Sequence, residues 1–257
     1  MKGALEVSGL VRRFGGVTAV AGVDMTVEPG QVRALIGPNG SGKSTMINCI
    51  SGVDRWDEGT IVLDGVPVKP AASTVAARRG IARTFQTLRL FDDMTVLENV
   101  LVAMHDRRGY GLLSAITGMP RYGNAEKRMR GRALELLDFA GVAEDAHRLA
   151  GTLPYGHRRL VEIARALACD PALLLLDEPA AGMNDSETVR LAQLVIEIAK
   201  GDLSVVVVEH NMDFVASVAR QVTVLDNGHV IAEGTPAQVR ADPEVLRAYL
   251  GASEEQQ

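Results

Sequence analysis

The sequence predicts an α/β fold: a mostly parallel core, a flanking antiparallel β element and an inserted α-helical subdomain. Three observations carry that reading. A glycine-rich loop, Gly37-Pro38-Asn39-Gly40-Ser41-Gly42-Lys43-Ser44, stands between a short apolar strand and an apolar helix. Two continuous apolar runs, residues 172–177 and 203–209, bracket a segment of helical period, as buried parallel strands joined by a crossover helix do. Between residues 94 and 150 the texture turns to helix formers and loops.

Taken in order, the first 30 residues show alternation. Val23, Met25 and Val27 are apolar while Asp24, Thr26 and Glu28 are polar, a period of two that predicts half-buried strands. Residues 58–65 read as another strand ending in a turn, so an antiparallel element is expected beside the glycine-rich loop. Residues 32–36 predict a short buried strand, and the helix expected over 42–51 is closed by Gly52. Helices are expected over 94–104 and 125–140, separated by an irregular insert at 107–122 rich in glycine and arginine. Val189, Leu191, Leu194, Val195 and Ile198 set the helical period over 186–200. Asp242 as N-cap, Pro243 at the first helical position and Gly251 as a stop bracket a last helix. The expected organisation is one domain over 1–251. Its α/β core comprises 1–90 and 151–240, its helical insertion 91–150 and its C-terminal helix 241–251, with a frayed tail over 252–257.

The glycine-rich loop fits G-x-x-x-x-G-K-[ST], a phosphate-binding loop. Glycines let the backbone curl so that several N–H groups converge on an anion. Lys43 adds a point charge for β- and γ-phosphates, Ser44 offers a hydroxyl to Mg2+, and the first turn of the 42–51 helix, which holds Thr45, adds its positive end. Downstream, Leu173-Leu174-Leu175-Leu176-Asp177-Glu178-Pro179 carries two carboxylates to the end of an apolar strand, where ligands bind in open α/β sheets. Asp177 suits Mg2+, and Glu178 beside it suits a general base for an attacking water. Gln86, in Arg83-Thr84-Phe85-Gln86, and His210, after the 203–209 run, are polar groups that can reach Mg2+ and a γ-phosphate respectively.

Composition bounds the function class. A formal charge of −5 argues against nucleic acid as a partner of the whole chain. Cys49 and Cys169 form no metal-ligand spacing and read as free thiols in a reducing compartment. No apolar run approaches the roughly 20 residues of a membrane span, and the N-terminus lacks a signal-peptide core. A cytoplasmic protein is expected, reaching a membrane through partners.

In order and spacing these motifs resemble those of the nucleotide-binding subunit of an ATP-binding cassette (ABC) transporter, a P-loop NTPase with a RecA-like core. The resemblance spans nearly the whole chain. It implies ATP and Mg2+ as cofactors, with Lys43 as phosphate-loop lysine and Gln86 as Q-loop glutamine. Asp177 becomes the Mg2+ aspartate, joined at the metal by Ser44 and Gln86, Glu178 the catalytic glutamate and His210 the switch histidine. Phe14 stands where the family stacks an aromatic on adenine, with Val20 expected nearby. The family signature Leu-Ser-Gly-Gly-Gln corresponds to Leu153-Pro154-Tyr155-Gly156-His157, which departs from it. Pro154 removes a hydroxyl and an N–H, while His157 keeps one donor in place of glutamine. In the family this helix end faces the γ-phosphate bound on an opposing subunit.

A narrower set is similar to branched-chain amino-acid uptake ATPases: Phe14-Gly15-Gly16, Arg83 to Gln86, Arg89-Leu90-Phe91, Tyr155-Gly156, Ala180 to Asn184, and Arg247-Ala248-Tyr249-Leu250-Gly251. It implies a peripheral subunit on the inner face of the membrane. Its expected partners are two transmembrane permease subunits, a second ABC ATPase subunit, identical or homologous, and an extracytoplasmic substrate-binding protein. Urea, short-chain amide and some lipid-export ATPases share parts of this set, and soluble cassette ATPases share its core motifs, so the substrate stays open.

Overall fold

Alternation over the first 27 residues builds two strands, β1 (Leu5–Phe14) and β2 (Val17–Val27), paired antiparallel. The next strand, β3 (Val32–Ile36), is buried along its whole length and feeds the helix α1 (Lys43–Ile50). Strands β4 (Glu58–Leu63) and β5 (Val66–Pro67) complete a four-stranded sheet of order β2-β1-β4-β5. Leu5, Val7, Leu10, Val23, Met25, Val27, Ile61 and Leu63 share one core cluster with Met46, Ile47 and Ile50 of α1. This computed structural model describes residues 3–108, 120–201 and 203–254.

The second sheet has six strands in the order β10-β9-β3-β8-β7-β6. Its further members are β6 (Ile81–Arg83), β7 (Leu173–Asp177), β8 (Ser204–Val208), β9 (Gln221–Asp226) and β10 (His229–Gly234). All neighbours pair parallel except β9 and β10. Those two form a hairpin on Asn227-Gly228, both at positive φ (45° and 80°), the backbone a two-residue hairpin turn demands. Helix α2 (Ser73–Arg78) precedes β6, and the helix Asp185–Lys200 crosses from β7 to β8 and starts with a capping box between Asn184 and Glu187. Its buried stripe is Leu191, Leu194, Val195 and Ile198, whereas Val189 is exposed and stands outside it.

The chain divides into two compact units, one of residues 1–86 and 172–257 and one of Thr87–Pro171. The second therefore includes helix α5 (Tyr155–Ala168) as well as α3 (Val96–Arg108) and α4 (Pro120–Phe139), whereas the sequence pattern predicts a return to the core at 151. Helix α3 begins after Thr95, whose hydroxyl accepts from the Glu98 N–H while the Glu98 carboxylate accepts from Thr95. The ends of the expected insert, 107–108 and 120–122, continue these helices; residues 109–119 lie outside the described ones. The last helix, Pro243–Glu254, runs past Gly251 into the segment expected to fray, since one glycine costs a helix about 1 kcal/mol and need not end it. No described helix is long and apolar enough to cross a membrane.

Candidate functional site

The phosphate loop joins β3 to α1 and depends on glycine at two points. Gly37 (φ 149°) and Gly42 (φ 103°) hold backbone conformations L side chains rarely adopt, and a Cβ there would meet Leu225 O at 2.0 Å and Ala19 O at 2.2 Å. Lys43 Nζ donates to the carbonyls of Gly37 and Pro38 at 2.8 and 2.7 Å. The ammonium is thus folded back into its own loop. Burial lowers its pKa, with Glu178 and Asp177 acting against that shift. Asn39, Gly40 and Ser44 are exposed, Ser41 is buried and Thr45 half-buried, so the loop presents its tip and its magnesium-type hydroxyl to solvent.

Asp177 closes β7 and Glu178 follows it at positive φ (45°). The turn is held because the Glu178 N–H donates to Val208 O at 2.9 Å, on the neighbouring strand β8. Each carboxylate already has a partner from the β6 side. Arg83 Nη2 donates to Asp177 Oδ2 at 2.8 Å, and Gln86 Nε2 donates to Glu178 Oε2 at 2.8 Å. Arg83 also reaches Asn48 Oδ1 at 2.6 Å and Ser51 Oγ at 3.2 Å, both on or just after α1. Neither Arg83 nor Asn48 was singled out from sequence as a site residue, although Arg83 stands in the quoted Arg83-Thr84-Phe85-Gln86. His210 is exposed just beyond β8, with Nδ1 3.8 Å from the buried carboxylate of Glu209.

The residues suit Mg2+. Ser44, Asp177 and Gln86 offer oxygen donors, and among the described residues only Arg83 is hydrogen-bonded to the Asp177 carboxylate, through Oδ2. No cluster of three or more His, Cys, Asp or Glu is present among the described residues. A hydroxyl, a carboxylate and an amide oxygen fit a hard cation that takes one or two protein oxygens and completes its shell with phosphate and water.

Phe14 is exposed at the end of β1, and its ring carries the Arg12 guanidinium 4.1 Å from its centroid. A planar cation already lies over one face of this exposed ring. Val20 is a correction. It is fully buried in the core cluster with Val23 and Leu10, so it has no surface to offer a ligand. Tyr249, from the C-terminal helix, packs on the cluster containing Ala34 and Ile36 of β3. Burial raises its pKa, and a hydrogen bond with the Gly37 backbone partly offsets the rise.

In the second unit, Pro154 is the N-cap of α5 and supplies no side-chain cap, leaving the first N–H groups of that helix open. Pro154 and Tyr155 are exposed and Gly156 is buried. His157 Nδ1 lies 2.6 Å from Asp145 Oδ2, and Arg148 donates to Asp145 Oδ1 at 2.7 Å. The expected donor of His157 is therefore spent. With Nδ1–H on Asp145, a neutral ring turns an Nε2 lone pair outward, and only the imidazolium donates there. Burial pushes the Asp145 carboxyl up, and the bonds from His157 and Arg148 more than offset it, holding it below its ordinary value. The helix start is braced from within by fully buried Arg159, which donates to Glu162 at 2.8 Å and to the Tyr155 hydroxyl at 3.1 Å.

Comparison with known proteins agrees with this geometry. A family model described as ABC transporter matches residues 20–181, and one described as branched-chain amino acid ATP-binding cassette transporter matches residues 229–255. The high-affinity branched-chain amino acid transport ATP-binding protein BraF of Pseudomonas aeruginosa is 42% identical, over 96% of this chain and 97% of its own. LivG of Escherichia coli K12, with the same description, is 41% identical over the same shares. Among solved structures, an ATP-binding cassette of an ABC transporter in its ADP conformation aligns with a TM-score of 0.83 at 34% identity, covering 98% of this chain and 99% of that one. A phosphate loop, paired carboxylates at a parallel strand end, and relatives of this identity along nearly the full length all lead to one conclusion: the chain belongs to the ABC transporter family and is one of its ATPases.

Proposed function

We propose that this chain hydrolyses MgATP to drive uptake of branched-chain amino acids through a membrane complex. The observation that carries the choice of substrate is the C-terminal match at residues 229–255 to the branched-chain amino acid cassette family, in a segment that also packs Tyr249 against the phosphate-loop strand. BraF and LivG carry that transport function in their names.

In this reading two ATPase subunits, identical or homologous, close head to tail on ATP; a related cassette has been solved as a dimer. The phosphate loop and Lys43 of one subunit hold the phosphates, and the Pro154-Tyr155-Gly156-His157 helix end of the other meets the γ-phosphate with its open N–H groups. Adenine stacks on Phe14. Glu178 orients the attacking water and takes its proton, while His210 holds the γ-phosphate. Ser44, Asp177 and Gln86 would hold Mg2+, which when bound would supply charge neutralisation at the phosphate oxygens. For nucleotide to act, Lys43 must leave the Gly37 and Pro38 carbonyls, and Gln86 must release Glu178. The second release links the site to the chain that follows Gln86 and, through it, to two permease subunits. The complex is peripheral on the inner membrane face and is fed by an extracytoplasmic binding protein.

The test is co-purification. Glu178→Gln, expressed in the native cell with ATP present, is expected to bring down two multi-span permeases, with a sister ATPase where the pair is not identical, and cells lacking the chain should lose uptake of labelled leucine. Recovery with soluble ribonucleoprotein instead, or leucine uptake that persists while urea uptake is lost, would overturn the assignment.

A further inference from the structure

Strand β8 lies between β3, which leads into the phosphate loop, and β7, which ends in Asp177. The residue at its C-terminal edge is therefore flanked by both motif-bearing strands. That residue is Glu209, a carboxylate only 1% exposed. Its N–H donates to Leu35 O at 3.4 Å, on β3. Its Oε1 accepts the Ala180 N–H at 2.8 Å, from the turn two residues past Glu178. Its Oε2 accepts the N–H groups of His210 at 3.1 Å and Asn211 at 3.4 Å. Asn211 then caps the following helix, accepting from Asp213 and Phe214. Among the described residues no Lys or Arg pairs with Glu209; its charge is satisfied by backbone N–H groups from two loops.

A buried carboxylate is costly unless its hydrogen bonds are met. A residue needed only to finish a buried strand would be apolar, as Val205 to Val208 are. A carboxylate is the side chain that accepts on two oxygens and donates on neither, so it can hold two donor loops at once. We propose that Glu209 is a positioning residue that locks the His210 loop to the turn carrying Glu178, so that the γ-phosphate contact and the water-activating carboxylate are set together. This rests on the MgATP-hydrolysis reading above and adds a residue to it. Glutamine at this position keeps the shape but accepts on one atom only. One loop keeps its bond, and the other meets an N–H with an N–H.

The experiment is a double-mutant cycle on the purified chain, comparing wild type, Glu209→Gln, His210→Ala and the pair, with MgATP turnover, MgATP affinity and melting temperature measured on each. Glu209→Gln is expected to bind MgATP within about threefold of wild type and to lose turnover roughly 10- to 100-fold. In the His210→Ala background the same change should cost less than about twofold, because residues acting as a unit are not additive. A purely structural role predicts the opposite: the two losses multiply. That outcome, or turnover within twofold for Glu209→Gln alone, overturns the proposal. Should Glu209→Gln not fold, Glu209→Asp, too short to hold both loops, is read in the same cycle. Failure of the hydrolysis reading itself is separately visible, as absent wild-type turnover or turnover that survives Lys43→Ala.

Discussion

Arg83 and Asp177 form an ion pair at 2.8 Å, with side chains only 9% and 10% exposed. The same guanidinium spans to Asn48 and Ser51. One side chain on β6 thus ties the strand that leads to Gln86, the helix after the phosphate loop, and the carboxylate proposed for Mg2+. Removing one partner of a buried pair strands the other charge, at a cost of roughly 3–5 kcal/mol when burial is complete. For this nearly buried pair, Arg83→Met is expected to lose about 3 kcal/mol in urea denaturation. Arg83→Lys should recover less than half, since an ammonium cannot reproduce the planar fork that serves three partners. A loss under 1 kcal/mol for Arg83→Met would mean the pair is a surface contact in solution.

The Asp145–His157 pair sets a pH dependence. The Asp145 carboxyl is held below its ordinary 3.8 despite burial, by His157 and Arg148. A depressed carboxylate contributes stability above its unfolded value and loses it as pH falls through the folded one. Wild type should therefore lose urea resistance below about pH 4, and Asp145→Asn should show a shallower acid limb over that window. Equal acid limbs would remove Asp145 from the account. At neutral pH, Asp145→Asn should also free His157 to change tautomer, visible as a shift of its ring proton resonances.

Cys49 is fully buried, and burial beside Asp54 pushes its thiol from 9.0 up to about 12. The folded state keeps a proton that the unfolded chain releases above pH 9. Its stabilising contribution is thus complete below pH 9 and declines as pH rises toward 12. Native protein treated with iodoacetamide at pH 8 is expected to modify the half-buried Cys169 before Cys49, which should react only on unfolding. Labelling of Cys49 at the rate of a free thiol would contradict the packing of α1 on the antiparallel sheet.

Much of this architecture is legible because local signals agree with it. Strand β7 is short, apolar up to its Asp177-Glu178 end and bounded by proline, and the phosphate loop follows a defined spacing between a strand and a helix. What escaped is instructive. Strand β6 is three residues long, too short to show a period. The β9–β10 hairpin was signalled by Asn227-Gly228, which went unread. Val20 follows a family position whose role here is taken by the core, and burial is not visible in a single residue type. Arg83 and Glu209 were missed because their importance is relational: an arginine at a strand end and an acid before a histidine look solvated until topology brings β6, β7 and β8 together. Where the helical unit ends was also hidden. Helix α5 has its own apolar stripe, and only its packing against α3 and α4 assigns it to that unit.

Lys43 gives a prediction about binding. Its ammonium spends two bonds on the Gly37 and Pro38 carbonyls in the structure, so Lys43→Ala loosens the loop and, in the proposed function, also removes a phosphate contact. Turnover should fall at least 100-fold, the scale of losing one charged transition-state donor, with ATP affinity reduced about tenfold in equilibrium dialysis. Unchanged affinity with lost turnover would assign Lys43 to the transition state alone.

In the proposed function Glu178, released from Gln86, is the base of an ATPase that works as a closed pair. The most direct measurement is single-turnover MgATP hydrolysis by Glu178→Gln beside wild type, with sedimentation in the same buffer. Glu178→Gln is expected to bind MgATP, to sediment as a dimer that wild type does not accumulate, and to hydrolyse more than 100-fold more slowly. Hydrolysis at the wild-type rate would place the base on another residue and contradict the site as described.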